Sequence, residues 1–290
     1  MSKEFIPKAI GTNADMSGQV NIQKVHSGYF DNREYAIDFV KKGVEPLIPS
    51  LSQIVNYADC GGAHGLLAEE VTNALRQLNF TVNPLVVDAN SKMLELAKER
   101  NLPTLLANLD DVPLEGMSLI TMRAVLHYNS ADDQLSILHN MYNSLLDGGH
   151  LVHQASSGNE ENCALRSEIV NLPSLGRAGA GKYSWLSLDK IIEFTRSVGF
   201  TVVDVEYAQS NAWSAEEQWD RFNSAKLAEI SGNESAMREY FERRDRFLTE
   251  ANALIKKAIA EYGAERLGVE LKSNGEYMIH YPYPIIVAKK

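Results

Sequence analysis

The chain has 290 residues, 44% of them hydrophobic and 23% charged, a composition typical of a folded protein with a sizeable core. Its formal net charge of −10 disfavours a nucleic-acid partner, because a phosphate backbone must be met by clustered Lys and Arg. No apolar run reaches the roughly 18 residues of a membrane helix, and the N-terminus lacks a signal-peptide core. With only two cysteines, Cys60 and Cys163, we expect neither a disulfide framework nor a structural zinc site. These features predict a cytoplasmic protein with no membrane partner.

The middle of the chain, about 51–210, alternates short apolar runs with segments of helical period. Because this alternation is typical of βαβ units that feed a parallel sheet, we expect an α/β core over these residues. Residues 1–50 are expected to form an N-terminal helical cap. The apolar runs, in chain order, are IVNYAD, TVNPLVVD, LPTLLAN, SLITMRA, HLVHQA and FTVVDVEY.

Residues 211–272 are charged and rich in helical patterns, so we expect a helical insertion, or lid, before the last strand. A capping box, Ser214-x-x-Glu217, marks its start. Residues 273–290 are strand-like and are expected to complete the core sheet. Since proline donates no ladder hydrogen bond, Pro282 and Pro284 predict an edge, a bulge or an irregular start in this last strand.

The first apolar run ends in a loop of small residues, 59–65, that leads into a helix. Small residues let the backbone turn sharply and approach a ligand, and a helix N-terminus offers free N–H groups. The dinucleotide pattern G-x-G-x-x-G needs its first two glycines one residue apart, and the adjacent pair Gly61-Gly62 does not match it. The loop therefore predicts a ligand site and disfavours a dehydrogenase.

An acidic residue stands at the end of the next predicted strand. This strand ends in Val86-Val87-Asp88, and a carboxylate at that place can accept hydrogen bonds from the two ribose hydroxyls of a nucleoside. Ala89 follows directly and begins the segment ANSKMLELA. The loop and this carboxylate together predict a site for a nucleoside-containing ligand.

With these motifs the chain resembles the class I S-adenosylmethionine-dependent methyltransferases, whose first motif reads roughly D-x-G-x-G-x-G. The resemblance implies a doubly wound, mostly parallel, seven-stranded Rossmann-like sheet and S-adenosylmethionine as the cofactor. Asn108 and Leu109 fall in the segment ANLDDVP, which is similar to the G-D-A-x-x-L-P stretch that holds the adenine in this class. Ala63 stands in place of the middle glycine of the first motif. The cofactor-binding residues that the resemblance implies are Asp59, Gly61, Gly62, Ala63, Gly65, Asp88, Ala89, Asn108 and Leu109.

His127 is the candidate catalytic base. It follows the fourth predicted strand, in the crevice outside the carboxyl ends of the strands where open α/β sheets bind ligands. A hydroxyl acceptor must lose its proton during methyl transfer, and an imidazole with an ordinary pKa near 6.5 can take it. The segment VLHYNSADD is similar to the V-L-H-D-W-S-D segment of plant-type small-molecule O-methyltransferases, whose histidine is the base, although Tyr128 and Asn129 replace Asp-Trp. The alternative is a histidine that only closes over the cofactor.

Several further residues are candidates for contact with the cofactor or the methyl acceptor. Arg123, at the end of the fourth strand, is assigned to the cofactor, with a structural salt bridge as the alternative use. His153, at the end of the fifth strand, is a second candidate base or acceptor ligand. This family builds its acceptor pocket from the cap, the loops and the insertion. The candidate acceptor-binding residues are therefore Tyr29, Phe30, Tyr128, His153, Trp185 and Trp213.

Three functions remain open from the sequence. The first is O-methylation of a small molecule without a metal ion, because Arg123-Ala124 and His153-Gln154 occupy the positions where metal-dependent relatives carry carboxylates. The second is methyl transfer to nitrogen or carbon. The third is a non-catalytic protein that binds an adenosyl ligand and meets a partner chain through its long charged helices. Whether the insertion forms a homodimer is left open.

Overall fold

The structure, a computed structural model, describes residues 32–176 and 183–290. Its strands are β1 (Ile54–Cys60), β2 (Thr81–Asp88), β3 (Thr104–Leu106), β4 (Met117–Arg123), β5 (Leu145–Gln154), β6 (Thr201–Trp213), β7 (Val269–Leu271) and β8 (Tyr277–Lys289). Its α-helices are α1 (Arg33–Phe39), α2 (Leu66–Gln77), α3 (Ser91–Glu99), α4 (Ala131–Ser144), α5 (Glu160–Val170), α6 (Leu188–Ser197), α7 (Ala215–Glu229), α8 (Glu234–Tyr262) and α9 (Ala264–Leu267). Short π and 3-10 turns follow α1, over Val40–Val44 and Glu45–Ser50.

One mixed sheet organises the described residues, with the strand order β3-β2-β1-β4-β5-β8-β6. The first five strands in this order are parallel, and β8 runs antiparallel between β5 and β6. The short β7 pairs with the start of β8 and adds an eighth strand to the expected seven. This arrangement confirms the doubly wound, mostly parallel α/β fold.

The two prolines of the last strand lie in an interior strand and not at an edge. Opposite Pro282, the register of β6 shifts between Ala208 and Asn211, which is the bulge that a strand proline requires. The carbonyls of Pro282 and Pro284 still accept hydrogen bonds from the chain that follows β5, each at 3.2 Å. The sheet therefore absorbs both prolines where β8 passes beyond the end of β5.

Helices cover both faces of the sheet because each presents one apolar stripe. On α2 the buried positions Leu67, Val71 and Leu75 recur at helical spacing, and they belong to one apolar cluster together with side chains of α1, α5 and α8. Side chains of α4 and α6 form a second apolar cluster with the sheet. Strand ends and helix starts therefore alternate along one edge of the sheet, which is where the site lies.

The segment between β6 and β8 consists mainly of α7 and α8, as expected for the helical insertion. Its predicted capping box is formed: the Glu217 N–H donates to Ser214 Oγ at 3.2 Å, and the Ser214 N–H donates to Glu217 Oε2 at 3.0 Å. Trp219 is fully buried and donates a hydrogen bond to Tyr240 across the two helices at 2.9 Å. Within 32–176 and 183–290, no helix is both long enough and apolar enough to cross a bilayer.

Candidate cofactor and acceptor site

The loop after β1 is tightly folded and depends on glycine at two positions. Gly61 and Gly65 have φ of +72° and +80°, a left-handed conformation that L side chains rarely adopt. A Cβ on Gly61 would lie 2.3 Å from Cγ2 of Val125, and one on Gly65 would lie 2.7 Å from Cδ1 of Leu102. The glycine loop therefore packs directly against the loop that follows β4, which carries His127.

Two alanines beside this loop also adopt left-handed conformations. Ala63, which replaces the middle glycine of the motif, has φ +46°, and Ala124, directly after β4, has φ +56°. Such a conformation costs an alanine roughly 1–2 kcal/mol. Backbone strain of this kind is concentrated at ligand sites, and here it occurs at the ends of two adjacent parallel strands.

Asp59, near the end of β1, is a buried carboxylate with one oxygen in use. Thr121 Oγ1 donates to Asp59 Oδ1 at 2.9 Å, while the buried Oδ2 makes no hydrogen bond of standard geometry with the described residues. Burial raises the pKa of Asp59 to about 6, and the Thr121 hydrogen bond and the charge of Arg123 oppose that rise. An acidic group with one oxygen still available is suited to binding a cationic group.

Asp88 connects the glycine loop to the end of β2. Its buried carboxylate accepts hydrogen bonds from the backbone N–H of Ala63 at 2.9 Å and of Asn90 at 2.8 Å. Burial raises the pKa of Asp88, and hydrogen bonds from the backbones of Asn90, Ala63 and Ala89 lower it. The carboxylate is thus held in one orientation beside the loop, and it keeps acceptor capacity for a ligand hydroxyl.

The predicted adenine residues lie next to Asp88. The Ala107 N–H donates to the Asp88 carbonyl at 3.1 Å, which brings the buried Asn108 beside the end of β2. Leu109 is held in place through its carbonyl, which accepts from Asn140 Nδ2 at 2.9 Å. The structure therefore brings the expected cofactor residues together at the carboxyl edge of β1, β2 and β4.

His127 lies in a 3-10 turn, Leu126–Tyr128, directly after β4, and is 8% exposed. Its ring stacks on Trp185 with centroids 5.0 Å apart, and it contacts Tyr128 at 4.2 Å and Tyr183 at 6.2 Å. Burial lowers the pKa of His127 well below 6.5, and the charges of Arg221 and Arg166 lower it further. The imidazole is therefore neutral at neutral pH.

The predicted acceptor residues divide into those beside His127 and those elsewhere. Tyr128 and Trp185 contact its ring. His153 is buried between β5 and α6, where the Thr195 hydroxyl lies 3.5 Å from its Nε2, and burial lowers its pKa to about 4. Trp213 ends β6 and is buried in the core. Tyr29 and Phe30 lie outside the described residues.

The sequence analysis did not predict three residues near this site, namely Arg166, Arg221 and Tyr281. Arg166 of α5 lies over the rings of Trp185 and Tyr281, 4.9 and 3.8 Å from their centroids. Arg221 of the insertion donates to the Tyr128 hydroxyl at 3.1 Å. Arg166 occupies an apolar-face position of its helix, in line with Cys163 and Ile169, and an arginine at such a position was the available signal.

A cleft of about 1080 Å³ opens between the start of α5 and the start of α6, and its lining does not include His127, Arg166 or Arg221. Trp185 lines this cleft and also contacts His127. Ser157, Cys163 and Pro282 line it from the loop after β5, from α5 and from β8. Among residues 32–176 and 183–290, no three His, Cys, Asp or Glu side chains are grouped so that they could hold a metal ion.

The sheet order, the glycine loop and the carboxylates after β1 and β2 define a class I methyltransferase fold. A family model described as an O-methyltransferase domain matches residues 33–179. The chain therefore belongs to this family and is an S-adenosylmethionine-dependent methyltransferase. A search of curated proteins finds no match.

Solved structures support the same fold at low sequence identity. BH2331 of Bacillus halodurans C-125, assigned as a methyltransferase, has a TM-score of 0.63 at 14% identity over 89% of this chain and 99% of its own. The YcgJ protein of Bacillus subtilis has a TM-score of 0.58 at 13% identity over 88% and 97%. A SAM-dependent methyltransferase from Archaeoglobus fulgidus has a TM-score of 0.51 at 14% identity over 91% and 97%.

The residues present fit this cofactor. The buried Oδ2 of Asp59 makes no hydrogen bond of standard geometry with the described residues, and the N-cap residue of α2, Gly65, provides no side-chain cap. Most other helices near the sheet have such a cap, for example Asn90 on α3 and Ser130 on α4. The start of α2 therefore lacks a cap from its own N-cap side chain, although the Ala68 backbone hydrogen-bonds Asp59, and a helix N-terminus of this kind suits a polar or anionic ligand group.

Proposed function

We propose that the protein transfers the methyl group of S-adenosylmethionine to a hydroxyl of a small molecule, with His127 as the general base. The observation that carries this proposal is a buried, neutral imidazole in the turn after β4, next to the glycine loop. Val125, two residues before His127, is the side chain that Gly61 packs against. The cofactor loop and the turn with His127 therefore form adjoining walls of one site.

The bound cofactor supplies an electrophilic methyl group on a sulfonium, which an acceptor displaces in line. The glycine loop and Asp88 would hold the nucleoside part of the cofactor, and the Asp59 carboxylate would attract a cationic part of it. Because burial and two arginines lower the pKa of His127 well below 6.5, its unprotonated ring nitrogen is ready at neutral pH to take the hydroxyl proton. The aromatic rings around it exclude water from the reacting groups.

The insertion supports a small, enclosed acceptor. Its helix α7 brings Arg221 onto the Tyr128 hydroxyl at 3.1 Å and places the Phe222 ring 6.0 Å from that of Tyr183. Residues 211–272 therefore act as a lid that closes the acceptor side of the site. A lid of this size leaves little room for a macromolecular acceptor.

The test is methyl transfer by the purified full-length protein to a panel of phenols and enols, with products identified by mass spectrometry. We expect His127→Ala to lower kcat by about two to four orders of magnitude, because a positioned base contributes about that much. His139→Ala is the matched control, since His139 is exposed on α4 and its ring hydrogen-bonds Asn143 on the same helix. Both variants should bind S-adenosylhomocysteine like the wild type in calorimetry.

One observation favours a second candidate, transfer to nitrogen. The charges of Arg221 and Arg166 disfavour the imidazolium form of His127, which makes it a weak base. An amine acceptor that binds in its neutral form needs no base. If His127→Ala keeps wild-type kcat with an amine acceptor and no hydroxyl compound is methylated, the O-methyl proposal is wrong and this second candidate replaces it.

A further inference from the structure

Arg166 is a buried cation whose hydrogen bonds are only partly satisfied. The residue is 1% exposed in the middle of α5. Its Nη1 donates to the carbonyl of Ser156 at 2.9 Å, and its Nη2 donates to Ser156 Oγ at 3.1 Å. Its Nε is buried and has no hydrogen-bond partner within residues 32–176 and 183–290. Both acceptors of this guanidinium are neutral groups.

No carboxylate of the described chain balances this charge. No ion pair of residues 32–176 and 183–290 includes Arg166. The groups near enough to raise the pKa of its guanidinium are two phenols and a thiol, those of Tyr281, Tyr283 and Cys163. Burial raises the pKa of all three, so each is uncharged at neutral pH. A buried charge without a counter-charge is strongly disfavoured, so its presence at this position points to a negative charge supplied from outside the described residues.

The position of Arg166 connects it to the proposed acceptor site. Its guanidinium lies 4.9 Å from the Trp185 ring, and this ring stacks on His127 at 5.0 Å. Ser156 Oγ, which accepts from Arg166, also accepts from Trp185 Nε1 at 2.9 Å. Ser156 thus links Arg166 and Trp185 through hydrogen bonds, and the His127 ring packs against the indole of Trp185.

We propose that the methyl acceptor carries a carboxylate and that Arg166 binds it. The inference rests on the proposed function, since it places the acceptor in the site beside His127. A carboxylate matches the planar, forked donors of a guanidinium, including the Nε that has no partner among the described residues. The same negative charge would offset the two arginines that disfavour protonation of His127. Acceptor binding and base strength would then be coupled.

The first experiment uses binding alone. Wild-type protein with saturating S-adenosylhomocysteine is titrated by calorimetry with benzoate and, separately, with benzamide, which has the same shape but no charge. We expect benzoate to bind at least about tenfold more tightly, a difference of about 1.4 kcal/mol. Equal affinity for the two probes in the wild type would overturn the proposal, and this comparison needs no variant.

Variants then assign the preference to one residue. Arg166→Gln should remove the preference for benzoate, while Arg166→Lys should keep part of it, because lysine retains the charge but not the fork. Arg196→Gln, an exposed change on α6, is the matched control. Each variant is compared by melting temperature and by S-adenosylhomocysteine affinity. A folded Arg166→Gln protein that still prefers benzoate would contradict the assignment.

An activity assay separates this inference from the proposed function. The acceptors are para-hydroxybenzoate and its methyl ester, which differ only in the anionic group. Faster methylation of the acid, lost in Arg166→Gln, supports both proposals. Equal rates for the acid and the ester are consistent with O-methylation but contradict the proposal that the acceptor needs a carboxylate. Charge-dependent benzoate binding that requires Arg166, without methylation of any hydroxyl compound, supports the anion site and counts against O-methylation.

Discussion

The two halves of the site are built in different ways. The cofactor half consists largely of backbone: left-handed residues of the loop after β1, first-turn N–H groups of α2, and the carboxylates of Asp59 and Asp88. The acceptor half consists of side chains from distant segments, among them His127, Arg166 and Arg221. The charges differ as well, since the first half is acidic and the second is cationic. This contrast suits a cationic sulfonium on one side and an anionic acceptor on the other.

The backbone-built half should be the more sensitive to one added atom. Gly61→Ala combines a left-handed φ with a Cβ 2.3 Å from Val125, so we expect it to destabilise the protein by about 3 kcal/mol and to weaken S-adenosylhomocysteine binding. Chemical denaturation and calorimetry measure the two effects. Gly116→Ala is the control, because Gly116 has φ +68° but nothing within 4 Å of its Cβ.

The double variant Gly61→Ala with Val125→Ala tests whether the clash with Val125 causes part of this loss of stability. Removing the Val125 methyl groups should restore about half of the lost stability and leave the cost of the left-handed alanine, roughly 1–2 kcal/mol. If the double variant is no more stable than Gly61→Ala, the contact between the two loops is not what requires glycine at position 61. The cofactor half would then tolerate an added side chain by shifting its backbone.

The two halves should also differ in their response to pH. Burial raises the pKa of Asp59 to about 6, and its carboxylate attracts a cationic ligand only when ionised. We therefore expect S-adenosylhomocysteine affinity to be constant above about pH 7 and to fall by up to about tenfold per unit below the pKa of Asp59. Calorimetry from pH 5 to 8 measures this. Asp59→Asn should bind more weakly and without the dependence.

In the acceptor half, the decrease of kcat at acidic pH should occur at a different pH from the decrease in cofactor affinity. His127 must be neutral to act as a base, and its pKa is lowered well below 6.5, so kcat should not decline as the pH falls through 6.5. Measurements of kcat at saturating cofactor keep this effect apart from the titration of Asp59. A kcat that declines with a midpoint at or above 6.5 would contradict the burial of His127 in the working enzyme.

The smallest expected effect concerns the alanine that replaces the motif glycine. Ala63 has φ +46°, and Ala63→Gly would relieve the strain of that conformation while adding freedom to the unfolded chain. Because the two effects oppose each other, we expect a change in unfolding free energy of less than about 1 kcal/mol and little change in S-adenosylhomocysteine affinity. A large gain in affinity would mean that Ala63 holds the loop away from its best binding geometry.

Much of the cofactor half could be predicted because its residues are close in sequence to strand ends. The loop 59–65 follows β1 and Asp88 ends β2, and the carboxyl ends of neighbouring parallel strands meet at one edge of the sheet. A recognisable pattern of strands and glycines was therefore enough to group them. The same logic located His127 after β4. The same reasoning does not locate the side chain of His153, which also ends a strand but lies between β5 and α6.

The sequence by itself predicted the α/β fold class from local periodicity, and its motifs, which resemble those of class I methyltransferases, predicted the cofactor and the candidate base. Only the tertiary structure brought Arg166 and Arg221 near the histidine and placed the Tyr281 ring against Arg166. These residues come from α5, α7 and β8, and no local pattern relates them. Their meeting depends on how the insertion and the last strand pack over the edge of the sheet. Burial, which makes His127 neutral and leaves Arg166 without a counter-charge, is likewise a property of that packing.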